Sequence, residues 1–191
     1  MVNVEELLKD TGALLKGHFL LSSGLHSDTY IQCAKLLQKT RYAKGIGSDL
    51  ALKLQRFDPD CVVSPAIGGI VIGYEVARSL NISFMFAERD SNDVMTFRRG
   101  FDPANFKRVV IVEDVVTTGK STQEVIEALK RRNSHAVATS SIISRTEMNE
   151  INGLPFLSLI TLPLKSYTPE ECPLCKNGVP LSKPGTRKIF N

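Results

Sequence analysis

The sequence predicts an α/β protein with a central, mainly parallel, five-stranded sheet flanked by helices. Three observations lead to this fold class: short continuous apolar segments, helical segments that alternate with them, and turn residues between the two. Continuous apolar strands are typical of parallel sheets that are covered on both faces. The five predicted strands are CVVS from Cys61, ISFMFAE from Ile82, RVVIVED from Arg108, AVATSSIISR from Ala136 and FLSLITL from Phe156.

Helical periodicity predicts further elements before and between these strands. Asn3 is a predicted N-cap for a helix that runs to about Lys16. The apolar spacing predicts three more helices, over residues 40–54, 69–80 and 121–132. The segment GHFLLSSGLHSDTYIQCAKL predicts a β-hairpin, because apolar residues flank the turn-forming Ser22-Ser23-Gly24. The polar residues 90–105 are predicted to form a loop.

The composition is that of a globular protein of 191 residues, with 42% hydrophobic and 23% charged residues. A net charge of +4 is too small to favour a nucleic-acid partner, and no apolar run is long enough for a membrane span. The acidic, amphipathic start does not resemble a signal peptide, so we expect a cytoplasmic protein. We expect one structural domain in three parts: residues 1–40, residues 41–165 and an irregular tail of residues 166–191.

The chain has four cysteines, and two of them form a CxxC motif in the tail. Cys33 and Cys61 lie among apolar residues and are expected to be reduced core thiols. Cys172 and Cys175 supply two ligands, whereas a structural zinc site usually needs four. His26 or a partner subunit could complete such a site. The simpler interpretation is a tight turn around Pro173, and the sequence leaves the choice open.

The most informative segment is VVIVEDVVTTGKST, residues 109–122, where an apolar strand runs through a short loop into a helix. Backbone N–H groups at a helix start attract an anion, and a glycine lets the backbone approach it closely. The segment therefore predicts a phosphate site. It is not a P-loop, because the motif GxxxxGK[ST] would need a glycine where Asp114 stands.

Two acids, Glu113 and Asp114, end this strand beside the predicted phosphate site. They could accept hydrogen bonds from the hydroxyl groups of a ribose 5-phosphate. They could equally be a pair of strand-end acids that faces solvent. The residues alone do not decide between these two interpretations.

These motifs together resemble the type I phosphoribosyltransferases, and among them the orotate phosphoribosyltransferases of a short-loop bacterial branch. VVIVEDVVTTGKST resembles their phosphoribosyl-diphosphate signature at essentially every position. FLLSSGLHSDTYIQ resembles the N-terminal hood hairpin, SPAIGGIVIGYEVAR the pyrophosphate loop, FAERDSNDVMTFRRGF the mobile loop and SIISRTE a strand end with an orotate-contacting arginine. CPLCKNGVPLSKPGTRK resembles the tail of the same branch.

The resemblance implies a reaction in pyrimidine biosynthesis, in which orotate and phosphoribosyl diphosphate give orotidine 5′-phosphate and diphosphate. It implies Mg²⁺ held mainly by substrate, and a homodimer. The implied catalytic residues are Asp114, Glu113 and Arg89. The implied donor-binding residues are Glu113, Asp114, Val115, Val116, Thr117, Thr118, Gly119, Lys120 and Ser121. The implied orotate-binding residues are Thr117, Arg145, Tyr30 and Ile31, and those implied for the diphosphate are Gly68, Gly69, Arg98 and Arg99.

The chain departs from the family pattern at its expected diphosphate-binding cations. Ser22 and Gly68 stand where the better-known members have lysines, and Asp90 follows Arg89 where another lysine is expected. The segment from Asp90 to Gly100 contains no lysine or histidine. Lys120 or a residue of a partner chain could bind the diphosphate in place of the missing lysines.

Two other functions share the donor motif. One is a transferase for a purine base such as xanthine or adenine, and the other is a non-catalytic regulator that senses phosphoribosyl diphosphate. The hood hairpin and Arg145 favour orotate, because an acidic base needs a cation. A regulator would need a partner-binding module, and no DNA-binding motif or strongly basic face is evident.

Overall fold

The computed structural model describes residues 1–21 and 24–183 of the chain. Its α-helices are α1 (Val4–Asp10), α2 (Cys33–Leu37), α3 (Thr40–Leu54), α4 (Gly69–Leu80), α5 (Lys120–Lys130) and α6 (Pro173–Lys176). Its strands are β1 (Leu14–Leu20), β2 (His26–Ile31), β3 (Cys61–Pro65), β4 (Ser83–Arg89), β5 (Met95–Thr96), β6 (Val109–Val116), β7 (Ala136–Ser144), β8 (Glu150–Ile151) and β9 (Leu154–Thr161).

Strands β3 to β9 form one seven-stranded sheet in the order β5-β4-β3-β6-β7-β9-β8. The five central strands pair in parallel. The edge strands β5 and β8 are each two residues long and pair antiparallel with their neighbours. The predicted five parallel strands are therefore confirmed, and the structure adds two edge strands that are too short to give a periodic signal.

The order of the parallel strands reverses direction between β3 and β6. From β3 the chain passes through α4 to β4 on one side, and from β6 it passes through α5 to β7 on the other. Ligands of open α/β sheets bind in the crevice that such a reversal leaves at the carboxyl ends of the strands. In this chain the crevice lies between the loop that follows β3 and the loop that follows β6.

The central strands β3 and β6 are buried on both faces, which explains their largely apolar segments. Neighbouring residues of β6 alternate between two apolar clusters: Val110 belongs to the cluster with α3 and α4, and Ile111 to the cluster with α5. Helix α3 contributes Ile46, Leu50 and Leu54, which are fully buried. The predicted helices over residues 40–54 and 69–80 have the observed bounds. The third predicted helix corresponds to α5.

The prediction for the N-terminal helix was right at its start and wrong at its end. Asn3 caps α1 by accepting a hydrogen bond from the backbone N–H of Glu6 at 3.2 Å. The helix ends at Asp10 rather than near Lys16. A turn at Gly12, with φ of +60°, redirects the chain into β1, which pairs with β2 as the predicted hairpin. Tertiary pairing thus overrides the helical spacing of the leucines.

The hairpin of β1 and β2 is covered by the tail, of which residues 166–183 are described. Tyr167 exchanges two backbone hydrogen bonds with His26, and Ser182 pairs beside β1. The tail was predicted to be irregular, but it contains α6, with Pro173 at the first position.

Ser22 and Ser23 of the predicted turn, and residues 184–191, lie outside the described residues. No helix in the described part of the chain has the length and apolar character needed to cross a membrane.

Candidate active site

A cavity of about 960 Å³ opens at the carboxyl end of β6. Its walls come from β2, from the end of β6, from the start of α5 and from the tail. The residues around it are Leu20, Leu21, Tyr30, Ile31, Arg89, Asp93, Glu113, Asp114, Val115, Val116, Thr117, Thr118, Gly119, Lys120, Ser121, Arg145 and Lys183. The cavity therefore gathers the predicted catalytic, donor-binding and orotate-binding residues, which lie far apart in the chain.

The loop between β6 and α5 forms the floor on which an anion would lie. Gly119 has φ of +75°, a conformation that favours glycine, and a Cβ atom there would lie in tight contact with the side chain of Ile151, at 3.2 Å. Helix α5 begins at the next residue and directs its free N–H groups toward the cavity side of the loop. Hydrogen bonds from Arg145 N to Val116 O (2.8 Å) and from Thr146 Oγ1 to Thr117 O (3.1 Å) fix the loop to β7.

Glu113 is the more deeply buried of the two acids, with 8% of its surface exposed. Its pKa is raised to about 7, mainly by burial; a hydrogen bond donated by the Thr122 hydroxyl opposes the shift, and the neighbouring Asp114 adds to it. The group is therefore close to half-ionised near neutral pH when no ligand is bound. A carboxyl with a pKa in this range, at the edge of a cavity, is typical of a functional site.

Asp114 is half-buried and lies against the loop that follows β3. Burial raises its pKa, and backbone N–H groups of Val115 and of Asp114 itself counteract the shift. A Cβ atom on Gly68 would lie 2.8 Å from both carboxylate oxygens of Asp114. The absence of a side chain at Gly68 therefore leaves the space that this carboxylate occupies.

Arg145 presents a buried positive charge to the cavity. It is 7% exposed, and its Nε atom has no hydrogen-bond partner among the described residues. Its remaining contacts are long hydrogen bonds to the hydroxyl groups of Ser27 (3.4 Å) and Ser166 (3.5 Å). Burial lowers the pKa of Arg145, while Asp28 and Tyr30 partly offset this effect. A buried guanidinium with so few partners is suited to bind a ligand carboxylate.

The predicted diphosphate-binding arginines differ in position. Arg89 lines the cavity, where it forms ion pairs with Glu124 and with Asp93. Arg99 forms an ion pair with Glu88 at 2.9 Å and does not line the cavity. Arg98, Gly68 and Gly69 are also absent from its lining. Among the described residues, the cations that border the cavity are Arg89, Lys120, Arg145 and Lys183.

Lys183 is a charged lining residue that was not predicted from the sequence. It reaches the cavity because Leu20 N donates a hydrogen bond to Ser182 O (2.8 Å) and Ser182 N donates one to His18 O (2.9 Å). Leu20, Leu21 and Asp93 also line the cavity without having been predicted. For Lys183 the available signal was the resemblance of the tail motif, which did not assign it a role.

Comparison with known proteins identifies the family. The model of the phosphoribosyl transferase domain matches residues 35–150. The orotate phosphoribosyltransferase of Thermotoga maritima is 49% identical over 186 residues, which are 97% of this chain and 99% of that protein. The orotate phosphoribosyltransferase of Caldanaerobacter subterraneus subsp. tengcongensis is 47% identical and covers 97% of both chains. The chain belongs to the orotate phosphoribosyltransferase family.

Solved structures agree with this family in fold. The crystal structure of orotate phosphoribosyltransferase from Aeropyrum pernix aligns with a TM-score of 0.70 at 27% identity, covering 83% of this chain and 93% of that one. An adenine phosphoribosyltransferase from Thermoanaerobacter pseudethanolicus aligns with a TM-score of 0.60 at 16% identity, which shows the shared fold alone. The predicted type I phosphoribosyltransferase fold is therefore confirmed.

Proposed function

We propose that the protein transfers a phosphoribosyl group from phosphoribosyl diphosphate to orotate, giving orotidine 5′-phosphate and diphosphate in pyrimidine biosynthesis. The observation that carries this proposal is the buried Arg145, which faces the same cavity as the loop of the donor signature. An anionic base and an anionic sugar phosphate could thus bind in one cavity. Membership of the orotate phosphoribosyltransferase family supports the choice of orotate over a purine.

The donor would bind along the segment from Glu113 to Ser121. The loop N–H groups and the hydroxyl groups of Thr117, Thr118 and Ser121 would surround its 5′-phosphate. The carboxylates of Glu113 and Asp114 would accept hydrogen bonds from the ribose hydroxyls. Binding of these hydroxyls supplies hydrogen bonds to the ionised form of Glu113, so we expect the donor to lower the pKa of Glu113.

Orotate would bind between the hairpin and Arg145. Its carboxylate would pair with the guanidinium of Arg145, which lines the cavity, while Thr117 would add a hydroxyl. Tyr30 and Ile31 of β2 line this side of the cavity and would contact the face of the base. Tyr30 is held by its ring contact with Phe19, whose centroid lies 5.6 Å away.

The reaction needs positioning and charge stabilisation more than covalent participation by the protein. The bond between the sugar C1 and a ring nitrogen of orotate forms as the bond between C1 and the diphosphate oxygen breaks, and diphosphate leaves with the electron pair. Asp114 would stabilise the positive charge that develops on the sugar. Arg89, Lys120 and Lys183 would face the leaving diphosphate, and Gly68, Gly69, Arg98 and Arg99 stay predicted contacts of the loops around it.

We further propose Mg²⁺ as the cofactor, because the cavity presents the oxygen donors that this ion prefers. The ion would be held mainly by oxygens of the substrate, and the carboxylates of Asp114 and Glu113 line the same cavity. When bound with the donor, the ion would neutralise charge on the diphosphate. A homodimeric state is proposed from the family resemblance, and a cytoplasmic location stays a sequence-based expectation.

An absorbance assay with alternative bases tests the proposed function. The purified protein is mixed with phosphoribosyl diphosphate, Mg²⁺ and either orotate, xanthine or adenine. We expect orotate consumption that stops when EDTA is added, and no consumption of the purines. Consumption of a purine alone would overturn the orotate assignment, although the assignment of the donor site would still hold. Donor binding without any reaction would favour a regulator.

A further inference from the structure

The hairpin and the tail bring together two histidines and two cysteines away from the substrate cavity. His18 lies in β1, His26 begins β2, Cys172 precedes α6 and Cys175 lies within it. One ligand atom from each of the four residues lies within 4.8 Å of all the others. The chain has three histidines and four cysteines in total, so more than half of these residues meet at this one place.

The distances between the ligand atoms match a tetrahedral zinc site. Usual Zn–N and Zn–S bond lengths place two nitrogens about 3.3 Å apart, and a nitrogen and a sulfur about 3.6 Å apart. His18 Nε2 lies 3.0 Å from His26 Nδ1. The same nitrogen lies 3.4 Å from Cys172 Sγ and 3.6 Å from Cys175 Sγ, and Cys175 Sγ lies 3.2 Å from His26 Nδ1.

The second nitrogen of His18 fixes which atom is free to bind a metal. His18 Nδ1 lies 2.7 Å from the carbonyl oxygen of Val179. Since a carbonyl can only accept, Nδ1 carries the proton, and Nε2 of the neutral ring directs its lone pair into the cluster. A histidine that binds a metal through one ring nitrogen usually donates a hydrogen bond from its other ring nitrogen to a carbonyl or carboxylate, as His18 does here.

The burial of the cluster also favours a metal. His18, His26 and Cys172 are 3%, 5% and 0% exposed, whereas Cys175 lies at the surface and leaves a path of entry. Both tail cysteines are free thiols rather than a disulfide. Two sulfurs and two imidazole nitrogens in a tetrahedral arrangement select zinc among the common metals.

We propose that His18, His26, Cys172 and Cys175 bind one Zn²⁺, which fastens the tail to the hairpin. Four protein ligands fill a tetrahedral zinc, leaving no position for a substrate, so the role is structural. The ion holds the tail where Ser182 pairs beside β1 and Lys183 reaches the cavity. This proposal rests on the cluster alone and not on the proposed transfer reaction.

Metal analysis of the whole protein tests the proposal directly. The protein is produced with added zinc, purified without chelators or metal-affinity resin, and analysed by plasma mass spectrometry. We expect about one zinc per chain. After replacement of zinc by Co²⁺, we expect the visible bands of a tetrahedral site together with thiolate-to-cobalt charge transfer in the near ultraviolet.

Matched variants locate the metal. The double variant Cys172→Ser, Cys175→Ser should lose the zinc and the charge-transfer band. His135→Asn is the control, since His135 is an exposed histidine outside the cluster, and it should retain both.

Three results would overturn the proposal, and the first two concern the unmodified protein, so a variant that fails to fold would not obscure them. One is a zinc content below about 0.1 per chain. Another is an intact mass that reveals a disulfide between the two tail cysteines. The third is full zinc content in the double variant.

Discussion

At the scale of single residues, the two acids of the donor signature are adjacent in sequence but differ in surroundings. Glu113 is enclosed beside Thr122, and its pKa rises to about 7, while Asp114 is half-buried against Gly68. The sequence predicted both as site residues, because they end an apolar strand before a phosphate loop. It could not predict their protonation, which depends on burial by residues from other parts of the chain.

The raised pKa of Glu113 predicts how stability depends on pH without substrates. Between its ordinary pKa of 4.5 and about 7, the folded protein holds a proton that the unfolded chain has lost, so stability falls as pH rises through this range. The variant Glu113→Gln should remove this loss and be more stable than the unmodified protein near pH 8, by up to about 3 kcal/mol.

Urea unfolding near pH 5 and near pH 8 measures the effect. The exposed Glu147, replaced by glutamine, serves as the control and should keep the original pH dependence. An equal loss of stability with pH in the unmodified protein and in Glu113→Gln would contradict the assignment.

Arg145 should determine affinity for the acidic base. The variant Arg145→Ala should raise KM for orotate by about 10-fold to 100-fold, the size of a lost charge-assisted hydrogen bond, and change KM for the donor little. Steady-state kinetics with each substrate varied in turn measures both values. Arg132→Ala is the control, since Arg132 is an exposed arginine just after α5, and it should change neither KM value. An unchanged KM for orotate would remove Arg145 from the binding site.

At the scale of elements, the sequence was most informative where local pattern and tertiary environment agree. The central strands β3 and β6 were predicted because burial on both faces makes their segments largely apolar. The segment over residues 11–16 was predicted as helix and forms the turn and the start of β1, because pairing with β2 decides its conformation. The short helix α2 and the edge strands β5 and β8 were not predicted, since none is long enough to show a period.

The turn between β6 and α5 predicts a difference between two glycines of similar conformation. Gly119 and Gly100 have φ of +75° and +79°, but a Cβ atom meets Ile151 at Gly119 and nothing within 4 Å at Gly100. Both alanine variants should lose about 1–2 kcal/mol from the left-handed conformation. Gly119→Ala should also weaken donor binding, because the loop must shift away from Ile151.

Chemical denaturation and calorimetric titration with phosphoribosyl diphosphate separate the two effects. Gly100→Ala is the control for the backbone cost alone and should bind the donor as before. Equal donor affinity in the two variants would show that the conformation of Gly119 is not needed for binding.

At the scale of the whole molecule, the site is completed by contacts that no local pattern reveals. The donor segment is continuous in sequence and was therefore predicted as a unit. Lys183 and His18 gain their positions only when the tail packs on the hairpin, through Ser182. The CxxC motif was visible in the sequence, but its two proposed partners, His18 and His26, lie about 150 residues earlier in the chain. At such a separation, the spacing of residues does not predict which of them meet in the fold.

The position of the tail predicts a role for Lys183 in donor binding. The variant Lys183→Ala should raise KM for phosphoribosyl diphosphate by about 10-fold, because a cation leaves the cavity, with little change in KM for orotate. Lys176→Ala is the control, since this exposed lysine of the same tail does not line the cavity. Kinetics with the donor varied provides the measurement, and equal values in the two variants would exclude Lys183 from the diphosphate site.

The contact of Ser182 with β1 has a consequence for the order in which the protein becomes complete during its synthesis. A ribosome makes the hairpin and the strands of the sheet before the tail, so Lys183 is the last of the described residues lining the cavity to be made. A nascent chain that has not yet released its tail can form the sheet and its two apolar clusters. We expect such a chain to be folded but to bind phosphoribosyl diphosphate more weakly than the finished protein.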